Sequence, residues 1–388
     1  MKKVIFIVVI CLIMSSESSG QRQGINDQLI TVDVRKNYSN KKELIVQDFL
    51  DVEYIVLETN DEFINQGIVQ DIGDKFIIVK NRIDDGDIFL YDRAGKALRK
   101  INRKGQGPEE YIKISSIILD ENHEEIIVHC GYQQTILVYD LYGKFKRSFK
   151  YKQNLEEMFY GTIFNYDEDN LICHDEYNKE IAFVIISKQD GSTIKEIKIP
   201  FKEKKSSTHK FFDGQVGVFM GPGPSRSIIP YKNNWILLEI SSDTIFTFLE
   251  DHSLRPMIVR TPSVQSMNPE VFLMLRVVSD RYIFMETIKN EYDFNTKTGF
   301  PSNYLMYDRQ EKTLSGYIVF NGDYSTKKEL YLIAFTPVSH EIESWHALQA
   351  FQLVDDYKKG ILKGKLKEIA STLDEEDNPV IMLLKHKK

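Results

Sequence analysis

Hydrophobic and polar positions along this chain fall into short runs. DKFIIVKN at 74–81, EEIIVHC at 124–130, NWILLEI at 234–240 and RYIFMET at 281–287 are apolar, partly β-branched stretches bounded by charged or amide residues. Runs of this length with such ends predict β-strands. Each is followed by a second strand and a tight hairpin, and the hairpins resemble one another. Residues 88–96 read IFLYDRAGK and residues 136–144 read ILVYDLYGK. Gly95, Gly143 and Gly191 are spaced 48 residues apart, and hairpins at 184–192, 245–253 and 304–312 continue the series. A strand-rich repeat of this period predicts a ring of stacked blades.

Five blades can be placed, at about 64–103, 112–151, 161–200, 227–261 and 271–320. Three strands remain: LITVDV at 29–34, ELYLIAFTPV at 329–338 and NPVIMLLK at 378–385. A ring must close, because an open edge strand would template aggregation. The expected fold is therefore an all-β, six-bladed β-propeller whose last blade combines both chain ends, with the N-terminal strand 29–34 beside the C-terminal one. In 340–377, Trp345, Leu348, Phe351 and Val354 recur at three-residue steps, and Leu366, Ile369 and Leu373 at steps of three and four. That spacing predicts a helical insertion.

The turns divide the ring into two unequal faces. First-to-second and third-to-fourth strand turns are short. The long excursions at 104–111, 201–226, 288–302 and 340–377 are all second-to-third turns or links between blades. Long loops on a rigid scaffold carry function more often than short ones, so a ligand is expected on the long-loop face.

Lys2 and Lys3 precede an apolar run from Val4 to Met14, and Ser18-Ser19-Gly20 supplies small residues. This predicts a signal peptide at 1–20 and a mature domain at 21–388, secreted or held in the periplasm or envelope. Lipid anchoring through Cys11 is the rival reading, disfavoured because Ile10 stands where a lipobox wants a small residue. No later run is long enough to span a bilayer. Removing Lys2, Lys3 and Glu17 takes the formal charge from −7 to −8, without the basic stripe of a nucleic-acid surface. Cys130 and Cys173 fall near strand ends in consecutive repeats. They read as a disulfide or, in preference, as two separate buried thiols. A monomer is expected.

At Lys104-Gly105-Gln106-Gly107-Pro108-Glu109-Glu110-Tyr111 the chain resembles the secreted bacterial six-bladed β-propeller family, TolB-like and NHL-like in type. The family's link is typically GxGPGEY, and here Glu109 replaces its second glycine. YIVLET at 54–59, SDTIFTF at 242–248 and DEEDNPVIMLLK at 374–385 also match. The resemblance implies the fold over nearly the whole mature chain. It carries no activity, because the family is largely uncharacterised.

Candidate binding residues gather in the long loops: Arg103, Gln106, Glu109 and Glu110 around the first link, Tyr132 in blade 2, and Phe212 and Phe219 in the 201–226 link. Turn chemistry alone accounts for the Gly and Pro residues of the first link. His129, His174 and Asp175 could form a metal site, since imidazole and carboxylate suit Zn²⁺, but no HExxH or CxxC supports it. Asp84-Asp85-Gly86-Asp87 lacks the remainder of a calcium loop. No GxSxG elbow, phosphate loop or cofactor motif is present. The expected function is non-enzymatic, extracytoplasmic binding of a protein, peptide or glycan. The alternatives are a metal-dependent lyase or hydrolase at the channel mouth and a lipid-anchored envelope scaffold.

Overall fold

A computed structural model describes residues 29–150, 160–214, 216–223, 225–332 and 339–387, with the backbone alone for Tyr132, Asp213 and Val216. The leader at 1–20 and the 333–338 half of the ELYLIAFTPV run lie outside the described residues. Six sheets form the ring. Blade 1 comprises Ile68–Ile72, Phe76–Lys80, Asp87–Asp92 and Ala97–Asn102 in antiparallel order. Blades 2 (Ser116–Asp120 to Phe145–Lys150) and 3 (Tyr160–Asn165 to Thr193–Ile197) repeat this meander. Blades 4 and 5 begin at Ile228–Tyr231 and Val271–Val278. Blade 6 pairs Ile342–Leu348 with Val380–His386, and that strand with Leu50–Val56.

The first two repeated hairpins are built by one aspartate each, and Ser187 takes that place in the third. Asp92 Oδ1 accepts the N–H groups of Ala94 and Lys96, both at 2.9 Å. Asp140 Oδ1 does the same for Tyr142 and Lys144 at 2.8 and 2.9 Å. The glycine that follows packs on the outer strand of the preceding blade. A β-carbon on Gly143 would meet Ile101 at 2.7 Å, and one on Gly191 would meet Phe149 at 2.6 Å. Gly95 packs in the same way on Leu50–Val56, which therefore takes the outer-strand position of blade 6. The 48-residue period is thus the spacing of the blade-to-blade contact.

Closure by both chain ends is as expected, but the strand that performs it is not LITVDV. Ile30–Asp33 runs parallel to Leu254–Thr261 as a fifth strand of blade 4, with Ile30 opposite Ile258. Lys41–Ile45 likewise adds to Thr313–Phe320 of blade 5. Alternation shows that a strand has one buried face. It does not show which sheet edge offers unpaired N–H and C=O groups.

The helical insertion exists, as Ala350–Lys358 and Gly364–Ala370, with Leu353, Val354, Leu366 and Ile369 buried against Tyr324 and Val380. It begins later than the spacing of Trp345 and Leu348 implied, for both lie on strand Ile342–Leu348. Ile342 to His346 are all buried, so this strand has no alternation to distinguish it from a helix. Cys130 and Cys173 are free and buried.

Candidate functional site

Three of the four long excursions, all but 104–111, carry secondary structure of their own. In the 201–226 link, His209–Asp213 and Val216–Met220 form a two-stranded hairpin. One face of it leans on the blade 5 excursion. Phe211 stacks on Phe294 with ring centroids 5.2 Å apart, and His209 Nε2 lies 2.9 Å from Asn290 Oδ1. The opposite face holds Lys210, Phe212 and Phe219, with Lys210 directly across from Phe219. Phe212 is 66% exposed and Phe219 56%. Their rings meet edge to face at 6.0 Å, and a β-carbon on Gly217 would lie 2.9 Å from Phe212, so the glycine lets the ring lie over the strand.

The other predicted binding residues are not brought to this hairpin. Arg103, Gln106, Glu109 and Glu110 lie on the link between blades 1 and 2, where Arg103 and Glu110 serve the turn, and Tyr132 lies between the second and third strands of blade 2. Arg103 Nε donates to Gly143 O at 2.7 Å. Glu110 accepts Gly107 N–H at 2.8 Å and so folds back over its own loop. Tyr111 is buried between blades, donating to Gly86 O at 2.7 Å and accepting Arg103 N–H at 2.8 Å. Gln106 and Glu109 are exposed. The side chain of Tyr132 lies outside the described residues.

The three residues of the metal reading take separate partners. His129, buried on the second strand of blade 2, has Nδ1 3.3 Å from Ser116 Oγ, and burial pushes its pKa down to about 4. His174 Nε2 lies 3.1 Å from Glu239 Oε2, which Lys204 Nζ also approaches at 2.8 Å. Burial alone would raise the Glu239 carboxyl. His174 and Lys204 outweigh it and hold it at about 2. Asp175 accepts the N–H groups of Tyr177 and Asn178. Among the described residues no group of three or more His, Cys, Asp or Glu could hold a metal ion.

A large cavity of about 810 Å³ lies on the ring axis. The innermost strands of blades 1, 2 and 3 line it with Val69, Asp71, Ile117, Leu119 and Ile163. It is rimmed by Asp74, Asn122 and Glu341 from the short turns, the face that loop length disfavours. Asp71 is fixed in the wall, accepting N–H groups of Ile72 at 2.9 Å and Leu119 at 2.8 Å. Burial pushes its carboxyl up to about 7, the two backbone bonds opposing the shift and Glu121 adding to it. Glu121 accepts three N–H groups, from Asp74, Lys75 and Phe76. None of these wall residues was singled out from sequence. One signal was available: the chain has two tryptophans, Trp235 and Trp345, and both line this cavity.

Comparison with known proteins agrees with this architecture. A family model described as Domain of unknown function (DUF4934) matches residues 29–385. The chain is similar to a crystal structure from Bacteroides fragilis NCTC 9343, provisionally described as an exported protein. The identity is 16%, with a TM-score of 0.59, 93% of this chain and 100% of that one being covered. A DUF4221 family member from Bacteroides vulgatus ATCC 8482 is 12% identical with a TM-score of 0.48, covering 87% of this chain and 98% of that one. No curated protein matches the chain. Among the described residues no helix is long and apolar enough to cross a membrane.

Proposed function

The chain belongs to the DUF4934 family, and we propose that it is an exported, non-catalytic binding propeller that holds a protein or peptide ligand on its long-loop face. The observation that carries this reading is the outward face of hairpin His209–Met220, where Phe212 and Phe219 stand in solvent on one side of a two-stranded sheet. Burying a Phe side chain is worth about 1.5–3 kcal/mol, so a partner that covers both rings gains substantially. The rings form an edge-to-face notch rather than a flat platform. A notch suits an inserted apolar side chain better than a sugar ring, which favours peptide over glycan. The leader-like segment at 1–20 and the TolB-like and NHL-like hairpins support export and a binding role.

The test uses a random-peptide display library and a glycan array, probed with the mature chain and with the Phe212→Ser/Phe219→Ser variant. Enriched peptides with apolar residues, lost in the variant, are the expected result. Peptides that bind both proteins equally, or ligands found on the glycan array alone, would overturn the reading.

A further inference from the structure

We propose that the axial channel is a second ligand site, separate from the hairpin, that takes an organic cation: a primary ammonium or guanidinium group on a flexible chain. A cavity of about 810 Å³ falls within the roughly 300–1,000 Å³ typical of small-molecule sites. Its charge is one-sided. Asp74, Glu121 and Glu341 line it as carboxylates, and Asp71, whose carboxyl burial pushes up to about 7, adds a part-ionised group. The cations that line it, Arg93 and Lys385, both pair with Glu53, at 3.0 and 3.1 Å. Asp120 is likewise neutralised by Lys188 at 2.6 Å. One surplus positive charge at the Glu53 corner therefore faces three carboxylates and the part-ionised Asp71 among the described lining residues.

Apolar walls strengthen that field. Val69, Ile72, Ile117 and Leu119 line the cavity from the innermost strands, beside Asp71 and next to the turns that carry Asp74 and Glu121, and low-dielectric walls focus the potential of the charges near them. Glu121 and Asp71 are already held by backbone N–H groups, so they need no reorganisation to receive a cation. Trp235 and Trp345 add aromatic surface, whose negative ring face attracts ammonium and guanidinium groups. Carboxylates together with indole rings form a donor set for organic cations. An anionic ligand would meet the wrong sign of charge, and a neutral one would leave that charge uncompensated.

Because both tryptophans of the chain line the channel, their emission reports its occupancy. The mature chain is titrated with spermidine, with the tripeptide Gly-Lys-Gly, and with the neutral compounds 1,8-octanediol and maltotriose. A saturable emission change with spermidine or Gly-Lys-Gly and none with the neutral compounds is expected, and the tighter of the two identifies a free polyamine or a basic peptide as the source. Glu341→Gln, at an exposed rim position, should weaken that binding about ten-fold, the size of one charge-assisted hydrogen bond. Asp71→Asn should weaken it at least as much, and Glu341→Gln keeps the test open if that variant does not fold. Phe212→Ser/Phe219→Ser should leave it unchanged, so this site and the hairpin can fail independently. No saturable change with either cation, an equal response to octanediol, or undiminished binding in the folded carboxylate variants would overturn the proposal.

Discussion

Gly95 lies so close over Val56 that a β-carbon on it would sit 2.1 Å from the Val56 carbonyl oxygen. Its own carbonyl accepts Glu58 N–H at 2.8 Å. The first repeated hairpin thereby clamps the N-terminal strand that closes the ring. The backbone there is left-handed, with φ of 89°, a region glycine enters at little cost.

Gly95→Ala should therefore combine backbone strain with a collision against main chain that cannot swing away. A loss of about 2 kcal/mol or more is expected, read by urea denaturation. Gly360 has φ of 69° with nothing within 4 Å of its would-be β-carbon. Gly360→Ala should cost only about 1 kcal/mol. Equal losses at the two sites would show that the contact with Val56 contributes nothing.

A buried ion pair ties blade 6 to its neighbours. Arg226 donates to Glu343 Oε1 at 2.6 Å, and that oxygen also accepts Val278 N–H at 3.0 Å. Burial pushes the Glu343 carboxyl up to about 7, with Arg226 only partly opposing it. Arg226→Met removes the cation that opposes this shift and leaves Glu343 to protonate without its partner, so it should destabilise by about 3 kcal/mol at neutral pH, whereas Arg226→Met with Glu343→Leu should recover most of the loss. Denaturation of the two single variants and the double variant gives the coupling directly.

His129 makes stability depend on pH. Burial holds its pKa near 4, against an ordinary value of 6.5, so the native state keeps it neutral. The unfolded chain protonates first as pH falls, and the contribution is complete above about 6.5 and lost on the way down to 4. His129→Asn should lose about 2 kcal/mol less than the parent chain between pH 7.5 and 4.5. Parallel denaturation curves at the two pH values check this. Glu343 acts in the opposite sense, its stabilisation being greatest below 4.5 and lost as pH rises through 7, so the His129 effect is read as a difference between proteins at each pH.

Cys130 and Cys173 should be silent in the native protein. Burial pushes the Cys130 thiol up to about 12 and that of Cys173 well above its usual value. Little thiolate exists near pH 8, and the side chains are inaccessible. A thiol reagent should find both groups only after denaturant is added. Labelling without denaturant at the rate of an exposed cysteine would contradict their burial.

The repeat letters alone determined the architecture, because each has a local physical task that recurs every 48 residues. Asp92 and Asp140 cap their turns, Gly95 and Gly143 permit blade contact, and Tyr91 and Tyr139 fill the core. Loop lengths likewise pointed to the 201–226 link, where Phe212 and Phe219 stand exposed. Only the tertiary structure decided which N-terminal segment closes the ring, since Ile30–Asp33 and Leu50–Val56 both carry buried strand positions and differ in the edge they meet. It alone brought Asp71, Glu121, Glu341, Trp235 and Trp345 to one axial cavity. These residues come from four blades and lie up to 274 positions apart in sequence, so their proximity follows from ring closure and leaves no mark in local spacing.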